Sequence, residues 1–451
     1  MTEDSRPSRL ERFGLHRPEL RAWAMYDFAN SAVMTTVVAA VFPLYFRSVV
    51  AAELPLALSI FGTATSLAVI SIGVVSPVLG AIADFSAIKK RMLAALMAIG
   101  VLAVAGMFWV QEGDWGLGIA LFMLANVGLA GSFVFYDSLL PHVAENQEMD
   151  RVSTSGFGLG YLGGAILLGL NLAWIFAPGA FGLPSGEGLS PSQATLPVRL
   201  ALLSAAVWWV IFAIPLFRRV PEPPRRLEAD EKARTNPIGA ALIRLGETFR
   251  ELRSYKQAFL MLLAFLIYSD GIGTIIRMAA IYGGELGIGT QSLIAAILIT
   301  QIVGVPFAFL FGAIAGRIGA KPAVLIALVV YMGITLVGFL MTTATHFLAL
   351  AVMVGMVQGG AQALSRSLFA RLIPRHKSGE FFGFFGVMDR FSGSIGTLVM
   401  AGIAAITGEA RFGILAIILF FIVGAFLLTR VDVEAGEEAA REAERAAGVT
   451  I

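Results

Sequence analysis

The residues of this chain that could do chemistry are acids, amides and arginines embedded in long apolar runs. Asp27 is followed at i+3 by Asn30, and Asn126 is followed eleven residues later by Asp137, each pair sharing a helical face. Asp270 is followed at i+7 by Arg277. Gln358, Gln362 and Arg366 recur at i, i+4 and i+8 as a polar stripe, whereas Asp389 and Arg390 are adjacent and so point about 100° apart. An ionisable group at the centre of a membrane helix costs about 2.5–3.5 kcal/mol on insertion scales, so each needs a partner or a water-filled cavity. Asp27, Asn30, Asn126, Asp270, Gln358, Gln362, Arg366, Asp389 and Arg390 are read as candidates for a solute or coupling cavity. Interhelical pairing is the competing reading, and it weighs equally for Asp137, Arg277, Asp389 and Arg390. Asp270 lies about 20 Å along its helix, and the flanking Gly271 and Gly273 are read as room for water or substrate. None of His16, His142, His346 and His376 is expected to be buried, so a coupled proton falls to a carboxylate, with Asp270 first and Asp27 second.

The elements that position these side chains follow from composition. Of 451 residues 57% are hydrophobic and 14% charged, with a mean hydropathy of +0.80. A soluble domain carries about 25% charged residues, so this chain cannot cover a water-facing surface. About twelve apolar runs, near 22–46, 56–83, 92–110, 116–140, 154–178, 198–217, 257–282, 290–315, 323–343, 346–370, 380–407 and 411–430, reach the ~20 residues a helix needs to cross a bilayer. The fold class is therefore an all-α membrane protein. With the N-terminus placed in the cytoplasm, 27 of the 33 Lys and Arg fall in cytoplasmic segments and two, Arg47 and Arg411, in outer loops. That bias puts both termini inside. The chain has no cysteine, which excludes disulfides and thiol catalysis.

A polar, proline-containing stretch over 218–256 reads as a cytoplasmic linker ending in a basic surface helix over 241–255. It divides the chain into a segment 1–21, six spans over 22–217, six spans over 257–430 and a tail over 431–451, read as a solvated helical stub. Two landmarks recur at nearly one offset. GAIADFSAIKKR begins at Gly80 and GAIAGRIGAKP at Gly312, while Leu139-Leu140-Pro141 is matched by Leu372-Ile373-Pro374. Such internal repeats mark alternating-access transporters.

GAIADFSAIKKR resembles the signature between spans two and three of the major facilitator superfamily, with Gly80 opening it, Asp84 in the acidic position and Lys89, Lys90 and Arg91 as the basic run. Ile88 stands where the family commonly has glycine, and the second copy has Gly316 in place of the acid. WAMYDFANSA, YDSLLP, GFGLGYLGG and YSDGIGTIIRMAAIYG are similar to the vacuole-effluxer-like permeases. The resemblance implies two six-helix bundles, a central cavity lined by spans one, four, seven and ten, and a gate at Asp84. Asp84 would meet a facing cation or helix N-terminus only when the cytoplasmic side is closed. For Lys89, Lys90 and Arg91 plain positive-inside topology is the stronger reading.

GLGYLG fits a dinucleotide fingerprint, but it lies inside a span without a preceding strand. Gly156, Gly160 and Gly164 read instead as a small-residue stripe for close helix packing. No phosphate-binding Gly-x-x-x-x-Gly-Lys-Ser/Thr loop occurs, and no catalytic constellation points to an enzyme. The expectation is a secondary transporter of the inner membrane, moving an amino acid or similar metabolite, with efflux favoured. Its expected partners are a small-molecule substrate, protons and membrane lipid; no cofactor or nucleic acid is expected, and the chain is expected to be a monomer. Two rivals remain: an exporter of amphipathic drugs or lipids, and a non-transporting sensor or scaffold.

Overall fold

The computed structural model describes residues 8–54, 57–225, 255–285 and 289–447. Most of the expected linker, and all but one residue of its expected surface helix, lie outside the described residues. Twelve helices are long and apolar enough to span a membrane. They are span one Pro18–Val50, two Ile60–Ser86, three Lys89–Trp109, four Trp115–Val143, five Met149–Phe176 and six Leu196–Arg219. Then follow span seven Lys256–Arg277, eight Gln291–Ile318, nine Ala320–Phe339, ten Ala344–Arg371, eleven Arg375–Thr407 and twelve Arg411–Thr429. Leucine, isoleucine and valine dominate their outward faces, as at Val74, Leu102, Leu340, Leu398 and Ile406, because hydrocarbon is the solvent there. Helices satisfy their own backbone groups, which lipid cannot do.

The spans form two six-helix bundles. In the first, span one packs on five and six, and three packs on four; in the second, ten packs on eight and nine, and seven on twelve. The bundles meet where span five lies on eight and span two on eleven. Both copies of the repeated glycine landmark stand at these seams. A methyl group on Gly80 would strike the Gly379 backbone of span eleven, and one on Gly312 would strike Thr154 of span five. The Gly156, Gly160 and Gly164 stripe lets span five close on span one, where added methyls would meet Asp27, Ser31 and Thr35.

Two spans depart from a plain α-helix. Span one winds as a π-helix over Met34–Val41 and again over Phe46–Val50. Span eleven is broken into Ser378–Phe391 and Ser394–Thr407, with Gly393 between them at φ +78°. The tail is not a solvated stub. Its helix Val433–Ala446 buries Gly436, Ala440 and Glu444 at i, i+4 and i+8, and Glu444 accepts the Arg375 backbone N–H at 2.9 Å.

Candidate functional site

A chamber of about 400 Å³ lies between the bundles. The first bundle supplies Asn30, Asn126 and Asp137; the second supplies Arg277, Gln301, Gln358, Gln362, Arg366, Asp389 and Arg390. Both charge signs therefore face one space, with aromatic walls from Phe133, Phe157, Tyr161, Phe265 and Phe385. Arg390 also donates to the Ala130 carbonyl of span four across the chamber. Gln301 was not singled out in the sequence, where it is one amide in an apolar run. It donates to Thr35 Oγ1 at 2.6 Å and ties span eight to the π-wound part of span one. A second, apolar chamber of about 350 Å³ adjoins the first and shares Gln358.

Arg366 of span ten sits on the wall of the polar chamber and is buried. Its guanidinium donates to Asp137 Oδ1 at 3.0 Å and to Asp27 Oδ2 at 3.4 Å. It also donates to Ser153 Oγ at 2.9 Å and to the Ser153 carbonyl at 3.0 Å. The rings of Phe157, Trp23 and Tyr136 stand 4.5, 4.8 and 5.5 Å from its Cζ, which adds cation–π attraction in a desolvated site. One second-bundle cation thus fastens spans one, four and five of the first bundle. Asp27 is committed to this cluster, accepting also from Ser31 Oγ at 2.8 Å and Tyr136 Oη at 3.3 Å, and it is absent from the chamber lining.

Asp270 is placed elsewhere than expected. Its carboxylate accepts the backbone N–H of Ile395 at 3.1 Å and that of Gly396, both in the first turn after the break in span eleven. Gly271 faces Phe421 and Gly273 faces the Ser392-Gly393 backbone, so these glycines admit neighbouring protein rather than water. The physical reason is that a helix restarting inside the membrane exposes N–H groups that must find an acceptor.

At the end of the molecule carrying the 84–91 loop, the two bundles interlock. Asp84 pairs with Lys89 at 2.7 Å and accepts the Glu380 backbone N–H at 3.0 Å, at the N-terminus of the first helix of span eleven. The Lys89 ammonium also meets Ser378 Oγ at 2.7 Å and His142 Nε2 at 3.0 Å. Arg371 and Ser367 of span ten bind Asp150 of span five at 3.3 and 2.6 Å. Lys90 instead ties down the end of span six, donating to the Phe217 carbonyl at 3.1 Å, and Arg91 is exposed. The expectation that no histidine is buried fails at His376, which is 7% exposed. The turn Arg375–Lys377 that carries it is packed between the start of span eleven and the tail helix.

Twelve spans in two bundles around a two-signed polar chamber define a solute transporter of the major facilitator fold. Among solved structures, the human organic anion transporter MFSD10 aligns at TM-score 0.67 with 14% identity, covering 94% of this chain and 100% of that one. FucP in its outward conformation aligns at 0.65 with 13% identity, covering 92% and 100%. The family model described as vacuole effluxer Atg22 like matches residues 56–441, and the chain belongs to that family. The MFS-type transporter YxiO of Bacillus subtilis (strain 168) is 33% identical over 424 residues, 93% of this chain and 96% of that protein. Autophagy-related protein 22 of Yarrowia lipolytica is 30% identical over 325 residues, 65% of this chain and 52% of that one.

Proposed function

We propose that this protein is a secondary active transporter that moves an amino acid or similar zwitterionic metabolite out of the cell by alternating access. The observation that carries this reading is the chamber between the bundles, where Asp137 and Asp389 face the same space as Arg277 and Arg390. An ammonium group and a carboxylate on one small solute can then be bound together, and about 400 Å³ lies within the usual range of small-ligand sites. Proton coupling falls to Asp137 or Asp389, the carboxylates that line the chamber, which Asp27 and Asp270 do not. The division into repeated halves joined by the 218–256 linker, the inner-membrane location with both termini cytoplasmic, and the monomeric state belong to the same proposal. The charge asymmetry of the loops supports the orientation. The interlocked end is then the cytoplasmic side, closed here.

The experiment is a thermal-shift screen of purified protein against amino acids, followed by flux of the hits in liposomes, since a ligand binding only the folded state raises its melting point. Asp389→Asn and Arg390→Gln should each abolish the shift given by a zwitterion. A zwitterion shift unchanged in both variants would sink the reading. In cells, Gln147→Cys should react with thiol reagents from the cytoplasm and Glu187→Cys from outside; the reverse pattern would overturn the orientation. One observation favours a second reading, export of amphipathic solutes: the apolar chamber lined by residues such as Ile297, Leu350 and Ile414 opens beside Gln358. Shifts produced by hydrophobic cations and by no zwitterion would select it.

A further inference from the structure

His142 sits at the closed end without a role in the reading above, and its contacts are chemically constrained. Lys89 is 3% exposed, and a buried ammonium needs acceptors for all three of its N–H bonds. Around it stand Asp84 Oδ1, its ion-pair partner at 2.7 Å, and two hydrogen-bonding partners, Ser378 Oγ and His142 Nε2. Asp84 and His142 belong to the first bundle and Ser378 to the second. Ser378 Oγ donates in turn to the Ser138 carbonyl at 2.9 Å, so its lone pairs face Lys89. An ammonium only donates, so Nε2 must offer its lone pair, and the ring is neutral with its proton on Nδ1. The Arg375 backbone carbonyl is within hydrogen-bonding reach of that ring.

We propose that His142 makes the cytoplasmic closure respond to cytoplasmic pH: its neutral ring completes the Lys89 coordination, and protonating it releases the two bundles at that end. The protonated ring loses its only lone pair and sets a second cation 3.0 Å from the ammonium. Ser378 Oγ lies 3.2 Å from Nε2 but already accepts from the Lys89 ammonium at 2.7 Å. Asp84 is shared with Lys89 and the Glu380 N–H, and Glu222 is engaged by the Lys90 N–H, whereas Arg375 brings positive charge from the start of span eleven. Lys377 and Glu380 lie next along that segment, and Asp137 of the same span is bound to Arg366. When the end is open, His142 meets water and is free of the Lys89 ammonium, so its ring can take up a proton that the closed contact excludes. The closed state then holds fewer protons than the open one, so by linkage acid favours opening and rising pH restores closure. This regulation rests on the alternating-access reading.

The test uses spin labels on Arg218→Cys and Arg317→Cys, exposed positions on opposite bundles in the cysteine-free chain. Their distance distribution is measured from about pH 8 to about pH 5.5, bracketing the imidazole range. The parent should show the longer distance gaining on the shorter by roughly tenfold in ratio as pH falls. His142→Gln, which keeps a neutral acceptor, should change less than about twofold, and His376→Gln should follow the parent. Where His142→Gln fails to fold, His142→Asn replaces it. A His142→Gln profile that tracks the parent overturns the inference, as does a parent distance indifferent to pH. Asp84→Asn separates this from the reading beneath it. If that variant lengthens the distance, the closure stands whatever His142 does; if neither Asp84→Asn nor pH moves it, the closure reading itself falls.

Discussion

Arg366 shows how one residue at the chamber wall can hold two bundles together. Its guanidinium supplies four of the links between span ten and the first bundle and fills an aromatic box. Removing it leaves Asp27 and Asp137 buried without their cation. Breaking a buried ion pair from one side costs about 3–5 kcal/mol, so Arg366→Met should lower the unfolding midpoint sharply. Arg366→Lys should recover little, because a point charge cannot reproduce the planar fork. Adding Asp27→Asn and Asp137→Asn to Arg366→Met should restore part of the loss, since the stranded charges go with it. An Arg366→Met midpoint equal to the parent's, or no recovery in the triple variant, would refute this account. The sequence made the intramembrane charges visible through their cost, but not which acid meets which cation. Asp27 and Asp270 look alike in a linear reading, each a lone acid in an apolar run. Their partners, Arg366 and the Ile395–Gly396 backbone, are 339 and about 125 residues away, and no local pattern encodes such pairings.

At the scale of the element, span eleven carries the informative irregularity. Ser392-Gly393-Ser394 interrupts an otherwise apolar run, and that punctuation was the available signal for a restarted helix needing an N-terminal acceptor. Asp270 is that acceptor, delivered by span seven, while Ser392 Oγ donates to the Ser269 carbonyl, so each side of the break leans on span seven. Asp270→Asn keeps an amide oxygen able to accept one of the two N–H groups and should retain folding and flux. Asp270→Ala removes both acceptors; a lost cap costs about 0.5–2 kcal/mol, and each orphaned buried donor about 1–3. Thermal unfolding of the two variants separates the cases. Loss of proton-driven accumulation in a well-folded Asp270→Asn protein would return the residue to a coupling role. The π-winding of span one at Met34–Val41 carried no such mark in the sequence, because MTTVVAAV contains neither glycine nor proline. That segment packs against spans five, six and eight.

Over the whole molecule, the repeated glycine landmark maps onto function more directly than any single charge. Gly80 and Gly312 occupy corresponding places on spans two and eight, and each lies against a span of the opposite bundle. Gly316, standing where Asp84 stands in the first copy, lies against Arg151, so the missing acid falls at a seam between bundles too. The repeat was legible because duplication preserves spacing, and spacing is what a sequence displays. Which seam is shut was not, because that depends on the relative position of the bundles. At the closed end Gly80 meets Gly379, Pro77 meets Gly383 and Asp84 meets the start of span eleven. Gly80→Ala tests this arrangement because its two effects oppose each other. Within span two, alanine favours the helix over glycine by about 1 kcal/mol, so the bundle itself should fold at least as well. Only when the ends carrying the 84–91 loop are together does the new methyl meet the Gly379 carbonyl, so the substitution penalises that state alone. The Arg218/Arg317 label distance should therefore shift to the longer value at neutral pH, with slower flux and an undiminished melting point. Gly379→Ala, approaching the same contact from span eleven, should do likewise. A Gly80→Ala protein with parental distances and parental flux would mean that this seam can close around a methyl group and that the close glycine contact does not control access.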